Sequence, residues 1–82
     1  MEIHGTKADA NIPPELEGVD ALREATFILT PEEMTTLADF FASCAKEAAG
    51  EHFEDFEHQH LRDYLWEQRY SGPDVVVYRR QP

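Results

Sequence analysis

The chain has 82 residues and 17 carboxylates against 7 Lys and Arg, a formal charge of −10. That length holds one domain, 1–82, and a composition 41% hydrophobic and 11% aromatic is too apolar for a disordered chain. The acidic balance argues against nucleic acid or an anionic membrane as partner, since their phosphates would meet repulsion.

From the amino terminus, Met1 to Lys7 alternates in the way of an edge strand. Asp9 to Gly18, with its Pro13-Pro14 pair, reads as a loop. Leu22 to Leu29 is a better strand, ending in β-branched and aromatic residues. The strongest element is a helix from Pro31 to about Ala49. Thr30 and Glu33 have capping-box spacing, Pro31 stands where a missing N–H costs nothing, and Gly50 offers a left-handed stop. Met34, Leu37, Ala38, Phe41, Cys44, Ala45 and Ala48 recur at helical spacing and predict an apolar stripe facing a sheet.

Residues 57–65 read as a strand, although their Glu, Gln, Leu and Arg also suit a helix. Ser71 to Asp74 is a turn cluster, and Val75 to Tyr78 a strand. The expected architecture is α+β, in the order ββαββ: a small, mainly antiparallel sheet with strands near 1–7, 22–29, 57–65 and 74–79. One long helix covers one face of it.

The charge is lopsided. Residues 1–57 hold 14 carboxylates and 3 cations, whereas residues 58–82 hold 3 carboxylates and 4 arginines. The densest acidic block is Glu51, Glu54, Asp55 and Glu57, interleaved with Phe53 and Phe56. Such a mixture suits a grip on a basic protein, because charge steers encounter and rings supply anchoring area. It equally suits a solvated connection with its rings turned inward. Phe40, off the predicted stripe, and Trp66, in a polar connection, are the candidate exposed anchors, the alternative being that the loop from Glu51 or the carboxy-terminal segment folds over them.

Other chemistry is sparser. His52, His58 and His60 invite a metal reading, with His58 and His60 on one face of a strand and Asp55 or Glu57 to fix the rings, but no compact zinc spacing accompanies them and structural or surface histidines are the expectation. No cofactor motif appears. Cys44, the one cysteine, lies on the apolar stripe and reads as an inert buried thiol; one cysteine also implies no internal disulfide. Without a long apolar run or an export pattern, the expected address is the cytoplasm.

Thr30-Pro31-Glu32-Glu33 opening a helix with Leu37-Ala38-Asp39-Phe40, then His58-Gln59-His60-Leu61-Arg62-Asp63, then Pro73-Asp74-Val75-Val76-Val77, together resemble the small acidic immunity proteins of bacterial polymorphic toxin systems. Among these it resembles the immunity protein 32 family. The likeness spans about residues 26–80; Asp9 to Gly18 has no counterpart in it. It implies an α+β fold and a cytoplasmic, non-catalytic inhibitor that binds a cognate toxin. The alternatives are a homodimeric structural or regulatory protein and a His-based metal module.

Overall fold

A computed structural model describes residues 1–8, 19–50 and 56–80. The element order is β1 (Glu2–Lys7), β2 (Leu22–Ile28), α1 (Pro31–Ala48), β3 (His58–His60), α2 (Leu61–Tyr64), a 3-10 turn (Trp66–Gln68) and β4 (Val76–Tyr78). This is an α+β fold, ββαββ in outline, with antiparallel strands and one main helix.

The start of α1 is set by residues adjacent in sequence. Thr30 Oγ1 accepts from the Glu33 N–H at 3.2 Å, and Glu33 Oε1 accepts from the Thr30 N–H at 2.9 Å, so two otherwise orphaned donors are satisfied together. Its end departs from expectation, for Gly50 is not left-handed. The Ala49 N–H instead reaches the Ala45 carbonyl and the Gly50 N–H the Glu47 carbonyl, tightening the last turn without a left-handed residue.

The strands form two separate two-stranded ribbons, not the single sheet expected. In the first, Ile3 stands opposite Phe27 and Gly5 opposite Ala25, with a register shift between Thr6 and Lys7. Leu22 leans over Gly5, and a Cβ there would lie 2.6 Å from a Leu22 methyl. Every residue of β2 remains exposed.

In the second ribbon His58, Gln59 and His60 face Tyr78, Val77 and Val76. The strand expected over 57–65 stops at His60, because Asp74 intervenes. Its Oδ1 accepts from the Arg62 N–H at 2.9 Å, while the Leu61 N–H goes to the Val75 carbonyl. The Leu61–Val75 bond is the last rung of the ladder, and the capture of the Arg62 N–H by Asp74 turns the chain into the helical turn of α2.

The core is small: Leu37, Phe40 and Cys44 of α1 meet Phe56 and Leu61, with Leu65, Tyr70, Val75 and Val77 packed around them. From the first ribbon and its exit, Met1 and Leu29 reach this cluster. The helix therefore covers mainly the β3–β4 side. The chain exposes 6812 Å², against about 5,000 Å² for a compact monomer of its mass. Its radius of gyration, 13.9 Å, likewise exceeds the roughly 12 Å expected of a compact domain.

Candidate functional site

The phase of α1 decides what this molecule shows to its surroundings. At about 100° per residue, the helix is apolar from Phe40 through Cys44, Leu37, Ala48, Phe41, Met34 and Ala45 to Ala38, an arc of about 160° broken by Glu33 at the cap. The core occupies the half running from Phe40 to Ala48. The other half stays uncovered: Met34 is 55% exposed, Phe41 44% exposed, and Ala38 and Ala45 are exposed beside them.

This corrects the sequence-based assignment of Phe40 as a surface anchor. Phe40 is 1% exposed, the most enclosed ring of the core, and contacts Phe41 and Tyr64 at centroid distances of 5.7 and 5.3 Å. Phe40 and Phe41 point about 100° apart, so only one of them can occupy the centre of a narrow buried arc. The contacts that select Phe40 come from Leu61 and Phe56, far along the chain. Phe41 and Met34, placed inward by the spacing rule, are the side chains left outside.

The other candidates separate. Trp66 is 74% exposed, and Glu57 is exposed next to the buried Phe56. Glu51, Glu54 and Asp55 lie outside the described residues. Trp66 shares its surroundings with Arg62, Glu67, Arg69 and Tyr70, which line an open depression of about 580 Å³. Sequence reasoning missed this group, although Arg62, Trp66, Arg69 and Tyr70 stand at i, i+4, i+7 and i+8, the signature of one helical face.

A polar cluster braces the β3–β4 ribbon. His60 Nδ1–H donates to Asp74 Oδ2 at 2.6 Å, a short bond to a carboxylate. Burial pushes the Asp74 carboxyl up, but the bond from His60, the Arg62 N–H and the charges of both residues outweigh it and hold the pKa below the usual range. His58 stacks on Tyr78 at 4.8 Å and meets His60 edge-on at 5.0 Å, while its buried Nδ1 has no hydrogen-bond partner among the described residues. Among the described residues no three His, Cys, Asp or Glu side chains are placed to hold a metal ion. Burial, and then the Glu47 charge, raise the Cys44 thiol pKa, which makes it a poor nucleophile.

No protein-family model, curated protein or solved structure matches this chain. Among the described residues no helix is long and apolar enough to cross a membrane.

Proposed function

We propose that this chain is a non-catalytic, stoichiometric inhibitor of a basic protein, a bacterial toxin in the manner of the immunity proteins it resembles. The single observation that carries the reading is the uncovered half of the α1 apolar arc. A small domain that leaves Met34 and Phe41 beside exposed alanines on one helix face presents a contiguous apolar patch, the usual mark of a protein-binding surface. The charge supports a cationic partner over a second copy, because two chains of −10 repel each other while a basic surface is attracted. On this reading Met34 and Phe41 replace Phe40 as anchors, and the carboxylates, Glu57 and its acidic neighbours Glu51, Glu54 and Asp55 among them, steer the encounter.

The test is co-expression with the products of the adjacent genes. The proposal expects one such product to arrest bacterial growth, and this chain to relieve the arrest and purify with it at one-to-one stoichiometry. Relief without a complex, or no relief, counts against it. Light scattering on the isolated chain addresses the homodimeric alternative, since a stable dimer burying Phe41 assigns the stripe to a second copy instead.

A further inference from the structure

The depression around Trp66 is separate from the α1 stripe and has a different chemistry. It is lined by Arg62, Arg69, Trp66, Tyr70 and Glu67, two arginines and two large rings against one acidic residue. In a chain of −10, two arginines against one acidic residue give this lining a net positive charge, although Glu33 and Asp74 act on Tyr70 from outside it. Among the described residues neither guanidinium is paired with a carboxylate. The charge of Arg62 nonetheless acts on the nearby Asp74 carboxylate.

The hollow is also built. The Arg62 N–H is tied to Asp74, so the start of α2 is fixed relative to the β4 strand. The Tyr70 hydroxyl donates to the Pro73 carbonyl, and its ring closes over Gly72 so tightly that a Cβ there would meet the phenol. Burial, followed by the charges of Glu33 and Asp74, raises the Tyr70 pKa, so the wall stays a neutral phenol. Arg69 has φ 53°, the left-handed region that a long L side chain adopts at a cost. Among the described residues it alone, apart from glycines, has a positive φ, and it stands directly between the 3-10 turn carrying Trp66 and Tyr70.

We propose that this depression is a binding site for a small aromatic anion: a flat ring bearing a phosphate or carboxylate. The ring lies on the indole of Trp66, and the anionic group takes the planar donors of Arg62 and Arg69, which match both oxyanions in geometry. Glu67 at the rim disfavours ligands with a second, distant negative charge.

Trp66 is the only tryptophan, so its emission reports on the site directly. The full chain is titrated at constant ionic strength with phenyl phosphate, inorganic phosphate and benzyl alcohol. The proposal expects a saturable change with phenyl phosphate, at least a tenfold weaker response to inorganic phosphate, and no saturation with benzyl alcohol. Arg69→Asn, which accepts a left-handed backbone while removing the guanidinium, weakens phenyl phosphate at least tenfold. So does Arg62→Gln, which keeps the backbone bond to Asp74; melting curves confirm that each variant is folded. Absence of saturation with phenyl phosphate, an equal response to inorganic phosphate, or undiminished binding by both folded variants overturns the site.

Discussion

The rings of Phe40 and Phe41 lie 5.7 Å apart and tilted by 42°, one enclosed and the other facing outward. The boundary between the interior and the offered surface of this molecule runs between two consecutive residues of one helix. Their mutational costs should therefore diverge. Phe40→Ala removes a ring from the centre of the buried cluster and is expected to cost about 3 kcal/mol or more, a large share of the stability of so small a domain. Phe41→Ala is expected to cost less than about 1 kcal/mol. Urea denaturation of both variants checks this, and equal losses would place Phe41 in the core.

Thr30 holds the amino end of α1 through the reciprocal pair with Glu33. Thr30→Ala should cost about 1 kcal/mol, and thermal melts followed by helical circular dichroism read it. A neutral result would mean that core contacts alone position the helix start.

Asp74 joins three parts of the second ribbon: it accepts from His60 and from the backbone N–H groups of Arg62 and Val75. Its folded pKa lies below that of the free carboxyl, near 3.8, so the stabilisation is present above that value and lost as pH falls through the folded one. Asp74→Asn is expected to be about 1–2 kcal/mol less stable at pH 7. The gap between variant and wild type should close in acid, below pH 3.8. A gap independent of pH would show that the charge of Asp74 contributes nothing.

Electrostatic steering makes a kinetic prediction. Association with a basic partner should slow by at least tenfold between roughly 20 mM and 500 mM salt, as the screening length shrinks to a few ångströms. Dissociation should change little, because Met34 and Phe41 hold by apolar contact. Stopped-flow measurements at several ionic strengths separate the two rates. A flat association rate would remove steering from the account.

What the sequence discloses here depends on the range of the interaction concerned. The helix start was legible because Thr30, Pro31 and Glu33 are local neighbours. The β1, β2 and β4 strands were legible from alternation and β-branched runs. The face of α1 was not, since a wide apolar arc allows several phases and the choice is made by Leu61 and Phe56 from elsewhere in the chain. The early end of β3 was equally hidden. It follows from Asp74, a residue of the next turn, capturing the Arg62 N–H. The Trp66 depression escaped notice because 57–65 was read with strand spacing, whereas the helical turn after His60 brings Arg62 beside Trp66 and Arg69.

The most direct measurement is the affinity of the growth-arresting partner for the double variant Met34→Ser, Phe41→Ser, which removes the apolar stripe and leaves the net charge unchanged. The account predicts a dissociation constant raised at least 100-fold with a melting temperature within about 5 °C of the wild type. Unchanged affinity in a folded variant would contradict it, and so would a collapse in melting temperature, which would show the stripe to be part of the core.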